Sequence, residues 1–198
     1  TYNVPDGTVF VDGRDVNTVP IADLRAGCAY VPQDNFLFSD SIRNNIAMGR
    51  EDVSDEQIVA AAKVANAHDF IMQMEDGYKS EVRERGSGLS QGQKQLISLA
   101  RTLVSDPKIL VLDESTAMLD PQGRKEVMET ILKLNREKKI TVILITHHMD
   151  EAAQAQRVIV LHNGTVAADG TPKEVFSQVE LLHTIRLAAP DTVELCYA

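Results

Sequence analysis

The chain has 198 residues, 43% of them hydrophobic, and a formal net charge of −9 at pH 7. This composition is that of a globular domain and excludes an intrinsically disordered chain. The acidic balance disfavours a nucleic-acid partner, and the longest apolar runs, 109–112 and 142–145, are far shorter than the roughly 20 residues that cross a bilayer. The two cysteines, Cys28 and Cys196, lack metal-ligand spacing. We therefore expect a reducing, cytoplasmic location, with one disulfide as the open alternative.

Short strands precede two helical segments in the first half of the chain. The first helical segment begins at Ser54, which has the spacing of a capping box with Gln57. A second capping box, Ser90 with Gln93, opens a long helix whose apolar residues recur at every third or fourth position. The strands predicted ahead of these helices cover 8–13, which a turn signal closes, and 28–31.

A parallel sheet is predicted from the second half of the chain. The run 109–112 is continuously apolar, which is typical of a strand buried on both faces. A helix over 122–138 and a β-branched strand over 141–145 follow, and this order is that of a right-handed crossover. The expected fold class is therefore α/β. The remaining predicted elements are a hairpin of 157–161 and 165–168 around Asn163-Gly164, a turn that suits positive φ at both residues, and a helical tail from Lys173.

Two adjacent carboxylates, Asp113 and Glu114, follow the predicted strand 109–112. Ligands of open α/β sheets bind at the carboxyl ends of the strands. One carboxylate can hold Mg²⁺ while the other orients a water that attacks a phosphoryl group. The alternative is that Asp113 caps the next helix and Glu114 is only solvated.

A second candidate site is the helix start at Leu89-Ser90-Gln91-Gly92-Gln93. The first turn of a helix presents unpaired N–H groups and the positive end of its dipole, and Gly92 would let an anion approach the backbone. The alternative is a capping box without a ligand.

Together these segments resemble the ATP-binding cassette (ABC) family, the nucleotide-binding domains of ABC transporters. Five segments between residues 8 and 170 carry the resemblance, in the order that the family has. They are the Q-loop-like segment 30–34 with Gln33, the LSGGQ-like signature 89–93, the Walker-B-like strand and glutamate 109–114, the D-loop-like segment 117–120, and Thr146-His147 in the position of the switch histidine.

The resemblance implies that ATP and Mg²⁺ lie between two such domains. Asp113 and Gln33 would contact the Mg²⁺, and Glu114 would act as the base that orients the attacking water. His147 would contact the γ-phosphate, with His148 beside it as a competing candidate. Nucleotide held by the opposite subunit would meet Ser90, Gln91, Gly92 and Gln93, and Asp120 would communicate across the dimer.

The resemblance also implies a phosphate loop of the pattern G-x-x-x-x-G-K-[ST], and none of the 11 glycines belongs to one. Residues 1–8 are similar to the stretch that follows this loop in the family, so we expect a cassette that lacks the Walker A strand, loop and helix. Two parts of the chain differ in character, which indicates a hybrid or a fragment, with a divergent relative of the family as the alternative. Segments 33–38 and 84–90 resemble exporters, whereas 116–121, 146–152 and 170–172 resemble the energy-coupling-factor transporter ATPases.

The family fold implies three parts in this chain. A core similar to the P-loop nucleotide hydrolases would comprise 1–33 and 106–170, a helical signature subdomain 34–105, and a helical tail 171–198. The patch 36–45 is the expected contact with membrane subunits, and the alternative is that its apolar residues belong to the subdomain core.

The expected function is ATP hydrolysis coupled to transmembrane transport. Its partners would be a second nucleotide-binding domain and membrane subunits at the inner face of the membrane. Without a phosphate loop the chain is not expected to hydrolyse ATP alone, and an uncovered sheet would favour a homo-oligomer. A second interpretation is an engineered, non-catalytic α/β scaffold built from cassette pieces. A soluble cassette protein acting on nucleic acid or ribosomes is disfavoured by the acidic charge.

Overall fold

The computed structural model describes residues 4–34, 36–83, 86–190, 193 and 195. The chain divides into two compact units, Thr1–Ile145 and Thr146–Ala198. Residues 1–3, Asn35, Glu84, Arg85 and Cys196, on which some of the sequence-based expectations depend, lie outside the described residues. The division into a discontinuous core, a helical subdomain and a tail stays a prediction.

The first unit combines a three-stranded parallel sheet with helices, so the α/β class is confirmed. The strands Cys28–Val31, Ile109–Asp113 and Thr141–Ile145 lie side by side in this order. In chain order its strands and α-helices are β1 (Phe10–Val11), β2 (Arg14–Asp15), α1 (Ile21–Gly27), β3 (Cys28–Val31), α2 (Ile42–Ala47), α3 (Asp55–Val64), α4 (His68–Met72), α5 (Gln91–Leu103), β4 (Ile109–Asp113), α6 (Pro121–Lys138) and β5 (Thr141–Ile145).

The main core of the first unit lies between the sheet and its long helices. Leu110 and Leu112 of β4 are fully buried and belong to the same apolar cluster as Leu99 of α5 and Val127 of α6. Helix α5 is amphipathic because its apolar residues recur at helical spacing, and Ser90 caps its first turn. The helix predicted behind Ser90 is confirmed.

The expectation that β4 is buried on both faces is wrong. Leu110 and Leu112 are buried, but Ile109, Val111 and Asp113 keep partial exposure. In β5 the same alternation leaves Ile143 and Ile145 each 48% exposed. Successive strand residues point to opposite faces, so the core that includes α5 and α6 buries only one set.

The strand predicted over 8–13 is wrong in extent. Only Phe10–Val11 is extended, and it pairs antiparallel with β2. Asp12 and Gly13 turn the chain between them, with φ values of +50° and +73°. The turn signal was real, and it closes a short hairpin instead of ending a longer strand.

The second unit is a hairpin with short helices around its own apolar cluster. The turn at Asn163-Gly164 has φ values of +49° and +76°, which confirms the prediction that both residues adopt positive φ. The cluster includes Val160, Val175 and Leu182. The elements are α7 (Met149–Ala152), β6 (Val158–His162), β7 (Thr165–Gly170), α8 (Pro172–Phe176) and α9 (Val179–Thr184). Over the described ranges, no helix is both long and apolar enough to cross a membrane.

Candidate functional site

Asp113 is the last residue of β4 and lies at the carboxyl edge of the sheet. Its Oδ2 accepts a hydrogen bond of 2.8 Å from the hydroxyl of Tyr30, which comes from the neighbouring strand β3. This hydrogen bond is the main reason why the pKa of Tyr30 lies above its usual value, and lost hydration adds a smaller effect. Motif spacing does not predict Tyr30 as a partner of Asp113.

Glu114 continues the edge of the sheet in an uncommon backbone conformation. Its φ is +42°, in the left-handed region that residues other than glycine rarely occupy. Its N–H donates to the Ile145 carbonyl at 2.9 Å, which extends the β4–β5 pairing by one residue. Its Oε2 accepts a hydrogen bond of 3.0 Å from Nε2 of Gln33. The fold therefore brings together Gln33 and Glu114, which are 81 positions apart.

The donor set at this edge fits Mg²⁺ in the presence of nucleotide. Mg²⁺ is commonly bound by one or two carboxylates, with water and phosphate oxygens as the other ligands. Asp113 and Glu114 supply carboxylate oxygens, and Gln33 supplies an amide oxygen. Within the described ranges, no group of three or more His, Cys, Asp or Glu is placed to hold a metal.

The predicted signature segment forms the start of α5. Ser90 Oγ accepts the N–H of Gln93 at 3.1 Å, and Gln93 Oε1 accepts the N–H of Ser90 at 2.9 Å. Both halves of the capping box are thus present, as predicted. Gln91 and Gly92 occupy the first turn, whose N–H groups are those that the helix itself leaves unpaired.

The first turns of α5 and α6 approach each other at two glycines. A Cβ built on Gly92 would lie 3.5 Å from the Cα of Gly123. Asp120 caps α6, and its Oδ1 accepts the Gly123 N–H at 2.8 Å. Gly92 and Asp120, both predicted site residues, therefore belong to two helix starts in close contact.

In the second unit, His147 is exposed and lies in the short loop before α7. Its ring is 4.3 Å from the ring of His148, with the two planes 37° apart. The Thr146 hydroxyl accepts the His148 N–H at 3.0 Å and donates to Oε2 of Glu151 at 2.7 Å. Glu151 is only 2% exposed. The sequence analysis identified His147 and His148 but not this buried carboxylate.

An exposed aromatic pair follows β3. Phe36 and Phe38 are 57% and 47% exposed, and their rings meet edge to face at 5.0 Å. Arg101 of α5 donates to the Phe36 carbonyl at 3.0 Å, and its guanidinium lies 5.8 Å from the centre of the Phe38 ring. Asn45, which is fully buried, both donates to the Phe38 carbonyl and accepts the Phe38 N–H. This loop is therefore fixed while its aromatic side chains face solvent.

A family model described as "ABC transporter" matches residues 1–117, which is more than half of the chain. The chain belongs to the ABC transporter family. Other members are similar over 177 residues, or 89% of this chain. A "Putative multidrug export ATP-binding/permease protein" of Staphylococcus aureus is 39% identical, and the "Uncharacterized ABC transporter ATP-binding protein YfiC" of Bacillus subtilis is 41% identical. The chain spans 30% and 29% of these relatives, respectively.

The fold also matches that of solved ABC transporters. A bacterial Atm1-family ABC exporter with ATP bound superimposes with a TM-score of 0.76 and is 37% identical, over 89% of this chain and 31% of that one. The expected P-loop-hydrolase class is thereby confirmed. The chain is a nucleotide-binding domain of the ABC transporter family, its similar proteins include exporters, and ATP and Mg²⁺ are the ligands that ABC ATPases bind in general.

Proposed function

We propose that this chain carries hydrolytic and signature residues of an ABC exporter and that ATP hydrolysis at them drives transport. The observation that carries the proposal is the 3.0 Å hydrogen bond between Gln33 and Glu114 at the carboxyl edge of the sheet. A carboxylate that an amide holds in place can accept a proton from a water molecule. The same carboxylate orients this water for attack on a γ-phosphate.

The proposed site residues have different chemical roles. Glu114 acts as the base toward the attacking water, and Gln33 orients the Glu114 carboxylate. Asp113, directly or through water, and Gln33 would hold Mg²⁺, and the Tyr30 hydroxyl fixes the orientation of the Asp113 carboxylate. Bound Mg²⁺ would neutralise charge that develops on the phosphates. His147 contacts the γ-phosphate, and its exposure in the loop before α7 leaves the ring accessible.

The signature residues serve a second nucleotide-binding domain. Ser90, Gln91, Gly92 and Gln93 surround a helix start that can receive the γ-phosphate of nucleotide held by the opposite subunit. Asp120 communicates between the two sites, and the close approach of Gly92 to Gly123 supports this role because it links the two helix starts.

The aromatic pair Phe36 and Phe38 faces the membrane subunits. Both rings are exposed and rigidly held. Aromatic side chains of this kind are enriched in the buried core of protein–protein interfaces. The direct connection of this loop to α5 through Arg101 supports a role in coupling ATP to transport. The location that follows is the inner face of the membrane.

We also propose that these 198 residues do not hydrolyse ATP by themselves. They contain no G-x-x-x-x-G-K-[ST] loop, so the lysine and backbone amides that grip the β- and γ-phosphates are not among them. The difference in character between segments 33–38 and 146–152 supports a hybrid origin.

The test is ATP hydrolysis by the whole protein that contains these residues. Glu114→Gln removes the base but keeps the size of the side chain, so kcat should fall by a factor of about 10² to 10⁴ while ATP binding by calorimetry persists. Glu137→Gln, the same change at an exposed position of α6, is the control and should leave kcat unchanged. Equal kcat values for the two variants would overturn the proposal.

A further inference from the structure

Glu151 is a buried carboxylate beside the loop that carries His147. It is 2% exposed, whereas its neighbour Asp150 is exposed. A carboxylate that leaves water needs hydrogen bonds in exchange, because burial without them is costly. One such bond is the 2.7 Å contact from the Thr146 hydroxyl to Glu151 Oε2.

The Thr146 hydroxyl connects this carboxylate to the backbone beyond His147. Thr146 donates its only hydroxyl proton to Glu151, so a lone pair on Oγ1 is available to accept the His148 N–H at 3.0 Å. A hydrogen bond to a charged acceptor is stronger than one between neutral groups, and two bonds in series polarise each other. Thr146 and His148, the residues on either side of His147, are thereby held together.

The same loop is also tied to the start of α7. The Glu151 and Ala152 N–H groups both donate to the His148 carbonyl, at 3.1 and 3.2 Å. Glu151 therefore contacts the His147 loop twice, through its backbone N–H to His148 and through its side chain to Thr146. The Thr146 hydroxyl adds a side-chain hydrogen bond to the same turn, because it accepts the His148 N–H.

We propose that Glu151 is a positioning residue for His147 and acts through the Thr146 hydroxyl. Glu151 and Thr146 fix the backbone on both sides of the exposed His147 ring. The loop that carries His147 is therefore already ordered when the ring contacts the γ-phosphate. This inference rests on the proposed role of His147. Neither Glu151 nor Thr146 touches the nucleotide in this scheme, and their effect is confined to the geometry of His147.

The experiment measures kcat and KM for ATP in the whole protein that contains these residues. Thr146→Val removes the hydroxyl at nearly constant volume, and Thr146→Ser, its matched control, keeps it. We expect Thr146→Val to lower kcat about tenfold, because loosening a positioned group by less than 1 Å has effects of this order, with KM changed by less than about twofold. Thr146→Ser should retain wild-type kcat.

The variants of Glu151 test the other end of the connection. Glu151→Gln keeps an oxygen that can accept from Thr146 and should retain most of kcat, whereas Glu151→Ala should lose it. Asp150→Ala, at the exposed neighbouring position, should have no effect. Glu151→Ala can also unfold the second unit. If this variant is not recovered folded, the comparison of Thr146→Val with Thr146→Ser tests the inference alone.

A double-mutant cycle separates positioning from general stability. In a His147→Ala background, Thr146→Val should cause no further loss of kcat, because there is no ring left to position. A tenfold loss that persists in that background, or equal kcat for Thr146→Val and Thr146→Ser, would overturn the inference. An inactive wild type, or a His147→Ala variant with full activity, would instead count against the proposed function.

Discussion

The guanidinium of Arg101 grips Asn45 at two points, its Nε donating to the Asn45 carbonyl at 2.8 Å and its Nη2 to Asn45 Oδ1 at 3.2 Å. Asn45 in turn holds the backbone of Phe38, because the same Oδ1 accepts the Phe38 N–H at 2.8 Å. A helix that starts at the signature segment is thus linked through two side chains to the exposed aromatic loop.

Asn45→Ala should destabilise the protein by roughly 2–3 kcal/mol. The Asn45 side chain is fully buried, and its Oδ1 accepts hydrogen bonds from the Phe38 N–H and from the Arg101 guanidinium. Alanine leaves both donors without this acceptor. Urea denaturation measures the loss. Asn44→Ala, the same substitution at the exposed adjacent residue, should cost less than about 1 kcal/mol. Similar costs for the two variants would contradict the importance of this network.

Asp120→Ala should cost about 1 kcal/mol of folding free energy, since it removes the cap of α6. Asp120→Asn keeps an oxygen for the Gly123 N–H, so its stability should remain within about 0.5 kcal/mol of wild type. Any loss of ATP hydrolysis in Asp120→Asn would then report the missing charge and not a loosened helix. Thermal or urea unfolding of the two variants side by side provides the check, and a large destabilisation by asparagine would argue against the capping role.

The ion pair between Arg157 and Asp169 predicts a stability change at acid pH. Two hydrogen bonds of 2.7 and 2.6 Å join the guanidinium to the carboxylate across the β6–β7 hairpin, and they hold the pKa of Asp169 below its usual value. A carboxyl whose pKa is lower in the folded state stabilises the fold above its unfolded pKa, which is about 3.9. That contribution should disappear as the pH falls from about 4 through the folded pKa of Asp169.

Carboxyl chemical shifts followed by NMR measure this titration directly. In an Arg157→Gln variant the pH midpoint of the Asp169 titration should rise toward the ordinary value for aspartate. The reason is that the hydrogen bond from Arg157, the main cause of the lowered pKa, is gone. An unchanged midpoint would mean that another group holds the carboxylate.

Two glycines with different backbone conformations should respond in opposite directions to alanine. Gly164→Ala should cost about 1 kcal/mol, because φ at this turn position is +76°, a region that alanine adopts only with strain. Gly27→Ala should stabilise by about 0.5–1 kcal/mol, since Gly27 lies in α1 and a Cβ there would meet nothing within 4 Å. Calorimetric melting of both variants tests the pair, and a stabilising Gly164→Ala would refute the turn assignment.

Local signals allowed the sequence to predict the capped helices and the second hairpin. Ser54 and Ser90 each form both bonds of a capping box, and Asn163-Gly164 turns as expected. These features depend on residues at most three positions apart. The short helices α1, α2, α4 and α7 were not predicted as individual elements, because a helix of seven residues or fewer has too few turns for a clear periodicity.

The candidate site was predicted as a set of residues but not as an arrangement. Motif spacing identified Asp113, Glu114 and Gln33, whereas the Tyr30–Asp113 hydrogen bond joins residues 83 positions apart. Such contacts depend on which strands are neighbours and on their register. The burial of Glu151 could not be predicted from the sequence either, because a glutamate in an acidic helical segment normally lies on a solvated face. The chemical roles of the site residues stay predictions.

The positive φ of Glu114 has a consequence for protein engineering. A residue other than glycine at +42° carries a conformational cost on the order of 1 kcal/mol. A redesign guided by stability alone would therefore replace Glu114 with glycine or asparagine, which tolerate this conformation better. The resulting protein would melt at a higher temperature and would lack the carboxylate on which hydrolysis is proposed to depend, so this position sets stability against activity.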